Sequence, residues 1–254
     1  MTPAGSVPVS VVIAARNEAA NIEACVASIR WAREVIVVEN DSSDDTVERA
    51  VRTGATVFSH PFTTIGGQRN AALERASSDW VLIVDADERG SAALAGEIKR
   101  LLAGSPPYSA YRVSRRNFFM GREIRHGGWA SDRPVRLIRS SLRYDDSRVH
   151  EHVNVTGDAG ELSEPLEHSP YASLDDYFEK LERYSSWWAE DRYERGRRVG
   201  PLSVVARPPA RFVSMYLLRG GWMDGAAGAV LSCLAAASVL AKYARLWAKS
   251  TKDN

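Results

Sequence analysis

The first hundred or so residues alternate between uninterrupted apolar runs and amphipathic stretches, and this alternation constrains the fold more than any other feature. Apolar β-branched runs are typical of buried strands, and apolar residues at helical spacing are typical of covering helices. The predicted strands are Val9–Ala15, Val35–Val38, Thr56–Ser59 and Trp80–Val84, and the predicted helices are Ala19–Arg30, one opening near Asp44, Gly66–Ala76 and Ala92–Leu102. Apolar strands spaced by helices predict a mostly parallel sheet covered on both faces, a Rossmann-like doubly wound α/β fold.

The pattern changes twice further along the chain. After Gly104, short alternating runs at 108–114 and 135–139 predict antiparallel strands. From Ser173 onward, helical spacing predicts a C-terminal helical extension with helices at 174–195, 202–218 and 225–247. We therefore predict three segments: a nucleotide-binding half at 1–104, an acceptor-binding half at 105–170 and a helical, membrane-associated extension at 171–254.

Composition limits the partners and the compartment. The chain has 254 residues, 44% hydrophobic and 26% charged, which suits an α/β domain with a helical appendage. Its 33 basic and 32 acidic residues give a net charge of +1, so we expect no nucleic-acid partner. Cys25 and Cys233 lie in apolar surroundings and are predicted to be buried free thiols. With no signal-peptide pattern at the N-terminus, these features predict a cytoplasmic protein.

Polar clusters follow three of the four predicted strands. They are Arg16-Asn17-Glu18, Glu39-Asn40-Asp41 and Asp85-Ala86-Asp87-Glu88. Structural turns also favour Asn and Asp, and Asp44 could simply cap the following helix. Ligands of doubly wound sheets bind at the carboxyl ends of the strands, however, and three such clusters at one edge favour a binding site.

The pair Asp85 and Asp87 follows the apolar strand 81–84. Alternate residues at the end of a strand can turn toward one ligand, and two carboxylates there form a hard oxygen site that suits Mg²⁺ or Mn²⁺. Such an ion is held by few protein ligands and completed by substrate phosphates. The pair therefore predicts metal-assisted cleavage of a nucleotide sugar, in which positive charge neutralises the leaving diphosphate.

Several motifs together resemble the family 2 inverting glycosyltransferases of the GT-A fold. They are Val12 to Glu18 (VIAARNE), Val37 to Thr46 (VVENDSSDDT), Gly66 to Ala72 (GGQRNAA) and Asp79 to Glu88 (DWVLIVDADE). Three consecutive residues depart from the family's usual pattern: Glu39 stands in place of Asp, and Asn40-Asp41 stands in place of Asp-Gly. The resemblance covers about the first hundred residues.

The resemblance implies a nucleotide-sugar site and roles for its residues. Glu39 would read the base or ribose, and Arg69 would lie near the diphosphate, where a guanidinium suits phosphate geometry. Asp85 would touch ribose or metal, and Asp87 would be the main metal ligand. The full predicted donor site comprises Ala14, Arg16, Glu18, Glu39, Arg69, Asp85, Ala86 and Asp87.

The second half resembles a narrower branch, typified by lipopolysaccharide-core β-1,4-glucosyltransferases. The matching stretches are His126 to Trp129, Asp132 to Arg139, Val149 to Glu151, Pro165 to His168 and Gly220 to Gly225. This resemblance implies a UDP-sugar donor, a hexose such as glucose, and a glycan or lipid-linked saccharide acceptor in cell-envelope polysaccharide synthesis.

Inversion by direct displacement needs a carboxylate to take the proton of the acceptor hydroxyl. Two residues are candidates, Glu151 and Asp132; Glu151 is favoured because it lies at the chain distance where the family places its acidic residue. An ion pair of Asp132 with Arg133 or Arg136 is the structural alternative. His150 is a predicted third metal ligand, and Trp129 and Arg133 are predicted acceptor contacts, although Trp129 could equally be a core residue.

Two other functions are compatible with these motifs. A nucleotidyltransferase also pairs an α/β sheet with acidic metal ligands, but it normally carries a Gly-rich basic loop where Arg16-Asn17-Glu18 stands here. A non-catalytic sugar-nucleotide or membrane-adaptor module is the second alternative, and the intact Asp85 and Asp87 pair and the candidate base argue against it.

The C-terminal region predicts contact with an anionic membrane surface. Arg207, Arg211 and Arg219 are interleaved with aromatic and aliphatic residues, and the apolar run 226–241 is followed by basic residues and Trp247. This mixture is typical of interfacial helices. The alternative is a helical hairpin packed on the domain or across a homo-oligomer seam. We predict peripheral binding to the inner face of the cell membrane.

Overall fold

A computed structural model describes residues 6–129, 131–145, 151–171 and 173–251. The strands are β1 (Val7–Ala15), β2 (Ala32–Glu39), β3 (Thr56–Ser59), β4 (Trp80–Ile83), β5 (Glu88–Gly90), β6 (Ala110–Phe119), β7 (Arg122–Ile124), β8 (Val135–Arg139) and β9 (Gly160–His168). The helices are α1 (Ile22–Ser28), α2 (Thr46–Arg52), α3 (Ile65–Leu73), α4 (Ala92–Ala103), α5 (Leu174–Glu194), α6 (Pro201–Val213) and α7 (Gly225–Ser250). The predicted α/β fold with C-terminal helices is confirmed.

The strands form one mixed sheet in the order β3-β2-β1-β4-β8-β6-β9-β5, and β7 pairs with β6. The first four strands in this order are parallel to one another, because helices carry the chain between them. The later pairs β4–β8, β8–β6, β6–β7 and β9–β5 are antiparallel. The predicted antiparallel character of the strands after Gly104 is therefore confirmed.

Both faces of the parallel strands are covered by apolar side chains. Alternate residues of β1 point to opposite faces: Val11 and Ile13 join the cluster that contains residues of α1 and α4, whereas Val12 joins the cluster that contains Leu73 of α3. Leu82 and Ile83 of β4 divide between the two clusters in the same way, and both are fully buried. Burial on both faces explains why these strands are apolar throughout.

The described chain divides into two compact units. The first contains residues up to Arg115 together with Asp132–His168, and it carries the parallel strands and the predicted donor site. The second contains Arg116–Ser131 together with the chain from Ser169 onward, and it carries the three long C-terminal helices. The segment boundaries proposed after residues 104 and 170 remain predictions.

In the second unit, α5 begins at a Ser173 cap whose side chain accepts a hydrogen bond from the Asp176 backbone N. After α6, a π-helical turn (Ser214–Leu218) and a short 3₁₀ turn (Gly221–Asp224) lead into α7. The expectation of buried thiols is confirmed for Cys25 and wrong for Cys233, which is exposed because it lies on the same face of α7 as the exposed Val230, Ala237 and Leu240.

Candidate active site

The three polar clusters lie at the same edge of the sheet. In the parallel register Ala15 of β1 pairs with Glu39 of β2, and Val12 of β1 pairs with Ile83 of β4. The loops after all three strands therefore leave the sheet on the same side, which is the carboxyl edge where ligands of such sheets bind. This register confirms the sequence prediction that the three clusters share one edge of the sheet.

The loops after β1 and β2 are joined by side-chain hydrogen bonds. Asn17 Oδ1 accepts from the Ser43 N at 2.8 Å, and Asp44 Oδ2 accepts from the Ala19 N at 3.1 Å. The other Asp44 oxygen accepts from the N–H and hydroxyl of Thr46, the first residue of α2. Burial opposes the charge of Asp44, but these hydrogen bonds outweigh it and lower the pKa. Asp44 thus holds the first residue of α2 and also fixes the loop after β1, while the N-cap position of α2 is taken by Asp45.

Three arginines surround the carboxylate of Asp85. Arg69 Nη2 donates to Oδ1 at 2.6 Å, Arg115 Nη2 donates to Oδ2 at 2.8 Å, and Arg136 Nη2 also donates to Oδ2. The arginines come from α3, β6 and β8, so residues from separate parts of the chain meet at the end of β4. Charge-assisted bonds to guanidinium groups are among the stronger protein hydrogen bonds, and here they hold both Asp85 oxygens.

Burial alone would raise the pKa of Asp85, but the charges of Arg136, Arg69 and Arg115 outweigh it and hold the pKa far below its usual range. The contribution of Asp85 to stability is therefore complete above the unfolded-state pKa of about 3.9 and is lost as the pH falls below that value toward the folded pKa. Asp85 is a fully ionised, fully paired carboxylate at neutral pH.

Glu88, which is completely buried, completes this ion-pair network. Its Oε1 accepts from Arg115 Nε at 2.6 Å and from Arg136 Nη2 at 2.9 Å, and its Oε2 accepts from the Asp85 backbone N at 2.8 Å. A carboxylate without water around it needs such partners, because an unpaired buried charge is strongly disfavoured. Glu88 therefore fixes the backbone of the Asp85 turn as well as two of its arginines.

Each candidate base is linked to Asp85 through one arginine. Arg69 bridges Asp85 and Glu151, whose Oε1 accepts from Arg69 Nη1. Arg115 bridges Asp85 and Asp132, whose Oδ2 accepts from Arg115 Nη1 at 2.8 Å. The Glu151 side chain is 13% exposed and that of Asp132 is 47% exposed. Asp132 does form an ion pair, but its partner is Arg115, whereas the sequence had suggested Arg133 or Arg136.

Close packing around Gly66 holds the Glu151 segment against α3. A Cβ at Gly66 would lie 2.6 Å from the Asp145 carbonyl oxygen and 3.5 Å from Glu151 Cβ. Beside it, Asn70 exchanges hydrogen bonds with the Tyr144 backbone at 2.9 and 3.0 Å. The glycine and the asparagine of the motif at 66–72 thus let Tyr144, Asp145 and Glu151 lie close to α3, the helix that carries Arg69.

Asp87 has a different environment from Asp85. Among the described residues, its Oδ1 is buried and has no hydrogen-bond partner, and its Oδ2 lies 3.7 Å from His168 Nε2. A buried carboxylate oxygen without a donor is a suitable ligand for a hard cation. The described part of the chain contains no cluster of three or more His, Cys, Asp or Glu side chains that could hold a metal ion. The donor set therefore fits Mg²⁺ or Mn²⁺ at Asp87 better than at Asp85.

The remaining predicted donor-site residues lie along the same edge. Glu39 is buried at the end of β2 and its Oε2 accepts from the Ser42 N at 3.2 Å, while the Glu18 backbone N donates to Thr46 Oγ1 at 2.8 Å. Ala14, Arg16 and Ala86 lie at or just beyond the ends of β1 and β4, where Ala86 is buried and Arg16 is exposed. Their donor contacts stay predictions.

The predicted acceptor residues belong to different units. Arg133, in the first unit, is exposed and pairs with Glu161 at 2.9 Å. Trp129, in the second, packs against the cluster of Phe119, Ile124, Met215 and Leu231, so core packing accounts for at least part of its side chain. His150, the predicted third metal ligand, lies outside the described residues.

The sequence reasoning assigned no site role to Arg115, Arg136, Glu88 or Tyr144. Tyr144 lies beneath Arg69, with the guanidinium carbon 5.2 Å from the ring centre, and its buried hydroxyl has no hydrogen-bond partner among the described residues. The one sequence signal for the two missed arginines was the density of arginines between residues 112 and 143, and it could not show that Arg115 and Arg136 are the ones that turn inward.

Comparison with known proteins identifies the family of the chain. The family model of glycosyl transferase family 2 matches residues 10–142. The lipopolysaccharide core biosynthesis glycosyltransferase LpsC of Rhizobium meliloti is 31% identical over 93% of each chain. The glycosyltransferase RP128 of Rickettsia prowazekii is 27% identical over 96% of this chain and 88% of its own. A solved glucosyl-3-phosphoglycerate synthase from Mycobacterium tuberculosis, in complex with Mn²⁺, UDP and glucosyl-3-phosphoglycerate, is 23% identical, covers 54% of this chain and 58% of its own, and has a TM-score of 0.40.

The family match and the similarity to LpsC define the chain as a glycosyltransferase. The chain belongs to glycosyl transferase family 2.

The ion-pair network predicts very different losses of stability on replacing two arginines that lie three residues apart, Arg136 and Arg133. We expect Arg136→Met to lower the free energy of unfolding by about 3–5 kcal/mol, because it leaves the fully buried Glu88 and the partly buried Asp85 short of a positive charge. The control Arg133→Met removes an exposed pair and should cost about 0–1 kcal/mol. Urea unfolding at neutral pH measures both, and equal losses for the two variants would contradict the network's role.

Proposed function

We propose that the protein transfers a hexose, with glucose the preferred candidate, from a UDP-sugar to a saccharide acceptor with inversion at the anomeric carbon. The observation that carries the proposal is the Arg69 bridge between Asp85 and Glu151. The bridge joins Asp85, which follows β4 where a nucleotide sugar would lie, to Glu151, a carboxylate that can serve as the base. Family membership decides against the nucleotidyltransferase alternative.

The donor would bind along the carboxyl edge of the sheet. Glu39 would contact the uridine, and Arg69, which keeps a buried Nε without a partner among the described residues, would lie near the diphosphate. Asp87 would hold Mg²⁺ or Mn²⁺, which when bound supplies positive charge to the departing diphosphate. Asp85 would act on the donor indirectly, by keeping the three arginines in place.

Glu151 is the better of the two candidate bases. One of its oxygens is anchored by Arg69, and the other has no partner among the described residues, so it can face an acceptor hydroxyl with a fixed orientation. Asp132 is similarly anchored through Arg115 but is more than three times as exposed. The less exposed carboxylate is the better candidate base, because fewer water molecules compete with the acceptor hydroxyl for hydrogen bonds to it.

The reaction is a single displacement. The acceptor hydroxyl oxygen forms a bond to the anomeric carbon as the bond from that carbon to the UDP oxygen breaks. The hydroxyl proton passes to Glu151, and UDP leaves with the electron pair of the broken bond. The attack comes from the face opposite UDP, so an α-linked donor gives a β-linked product.

Similarity to LpsC across nearly the whole chain supports an acceptor in the lipopolysaccharide core. In this proposal the acceptor is a lipid-linked saccharide, with Trp129 and Arg133 as its candidate contacts. A stacked indole would suit the apolar face of a sugar ring, and a guanidinium would suit its anionic groups.

Replacing Asp87 tests the metal site. We expect Asp87→Ala to abolish the gain in UDP affinity that Mn²⁺ gives, because the variant lacks the carboxylate that would hold the ion. Isothermal titration calorimetry of UDP with and without Mn²⁺ measures this gain. The matched control is Asp79→Ala, which removes an exposed carboxylate at the opposite end of β4 and should keep the gain. Unchanged Mn²⁺ dependence in Asp87→Ala would overturn the metal assignment.

Replacing Glu151 tests the base. We expect Glu151→Gln to keep UDP-glucose affinity and to lower kcat by at least about a hundredfold, since the amide retains size and hydrogen bonding but takes no proton. UDP release in the presence of a core-saccharide acceptor gives kcat, and calorimetry gives donor affinity. A hundredfold loss in Asp132→Asn with near-normal turnover in Glu151→Gln would transfer the role to Asp132.

A further inference from the structure

Helix α6 exposes an apolar stripe and buries none of its residues. Leu202, Val205, Pro209 and Val213 recur every three or four residues, and Leu217 continues the spacing into the π-helical turn. Leu202 is 79% exposed and Val205 is 71% exposed. A repeat of three and four residues places these side chains on one face of the helix, so the stripe is continuous.

Helix α7 carries a second stripe at the same spacing. It runs through Met223, Ala226, Val230, Cys233, Ala237, Leu240, Ala244 and Trp247, all of them exposed except the half-buried Ala244. The helical stretch Gly221–Ser250 is long and apolar enough to cross a membrane: its most apolar 18-residue window has a mean hydropathy of 1.6, but only 17% of that window is buried. Apolar surface of this extent is uncommon on a monomeric soluble protein and marks a contact surface.

The two stripes run along adjacent antiparallel helices. The Val199 backbone N donates to Ser250 Oγ at 3.4 Å, and the Arg207 guanidinium lies 4.6 Å from the centre of the Tyr243 ring. Residues early in α6 are therefore beside residues late in α7. Leu202 is consequently level with the end of α7 that carries Trp247, and together the stripes form what we call the α6–α7 surface.

The charge of this region is strongly one-sided. Between residues 195 and 251 the chain has the basic residues Arg195, Arg197, Arg198, Arg207, Arg211, Arg219, Lys242, Arg245 and Lys249. The one acidic residue in that range is Asp224, whose side chain is 6% exposed and is hydrogen-bonded to His126. Since the whole chain has a net charge of only +1, positive charge is concentrated beside the apolar stripes. Apolar stripes flanked by cations are complementary to an anionic bilayer surface.

Ion pairs favour a helix that lies on the membrane over one that crosses it. Arg245 pairs with Glu182 at 3.7 Å, and Lys249 pairs with Glu190, so α7 is fastened to the highly charged helix α5. A spanning α7 would have to break these pairs or carry the charges of α5 into the hydrocarbon, which is strongly disfavoured. An interfacial position keeps the pairs and buries only the exposed stripes.

We propose that the α6–α7 surface docks the protein on anionic lipid headgroups, with the apolar stripes in the interfacial zone and the arginines toward the lipid phosphates. The inference is independent of the proposed reaction, although a lipid-linked acceptor would be met at such a surface.

Vesicle flotation tests the docking. The full-length protein should float with phosphatidylglycerol-containing vesicles at low salt, remain unbound with phosphatidylcholine alone, and dissociate as salt screens the attraction. The triple variant Arg207→Glu, Arg211→Glu, Arg219→Glu should bind at least about tenfold more weakly. The control Arg33→Glu, Arg52→Glu, Arg100→Glu changes the net charge equally in the first unit and should bind like the unmodified protein.

The apolar part is tested with Leu202→Ser and Val205→Ser together, which should weaken binding without altering the circular dichroism spectrum. Absence of flotation with anionic vesicles at low salt would overturn the proposal, and so would equal binding by the two arginine triples. If sedimentation shows a dimer that the two serine substitutions dissociate, and no vesicle binding is observed, the α6–α7 surface belongs to a contact with a second copy of the chain. Transfer to a soluble acceptor, measured without vesicles, should be unchanged in the arginine and serine variants, which separates this test from that of the proposed reaction.

Discussion

The paired charges around Asp85 are the interaction on which the rest of the site depends. One carboxylate at the end of β4 gathers Arg69 from α3, Arg115 from β6 and Arg136 from β8. These elements are distant in sequence from the end of β4 or from one another. Buried guanidinium and carboxylate groups are tolerated only as a complete network, because each member left alone would carry a large desolvation cost. Loss of one partner would therefore disturb every element that meets there.

The network also separates the roles of two carboxylates that stand two residues apart. Asp85 is saturated with donors, whereas Asp87 keeps a buried oxygen without one among the described residues. A cation competing for Asp85 would have to displace guanidinium groups, while at Asp87 it would relieve an unpaired oxygen. The same environment anchors Glu151 and Asp132 on opposite arginines of Asp85, so the positions of both candidate bases are set by that single residue.

The sequence was sufficient for the parallel half of the fold, because strands such as Trp80–Ile83 are buried on both faces and read as continuous apolar runs. It was also sufficient to place the three polar clusters at one edge of the sheet, since they follow those strands. It was not sufficient for β9, where Gly160–His168 mixes charged and apolar residues, or for β5 and β7, whose three residues are too few to show a period. Arg115 and Arg136 were missed for a related reason: an arginine that turns inward has the same letter as its exposed neighbours Arg116 and Arg133, and only tertiary contacts distinguish them.

The most direct measurement is the position of the metal in crystals grown with Mn²⁺ and UDP, found from the anomalous scattering of manganese. The account predicts a single peak within ligand distance of Asp87 and the diphosphate, with Asp85 still bound by Arg69, Arg115 and Arg136. A peak coordinated by Asp85, with those arginines displaced from its carboxylate, would contradict it.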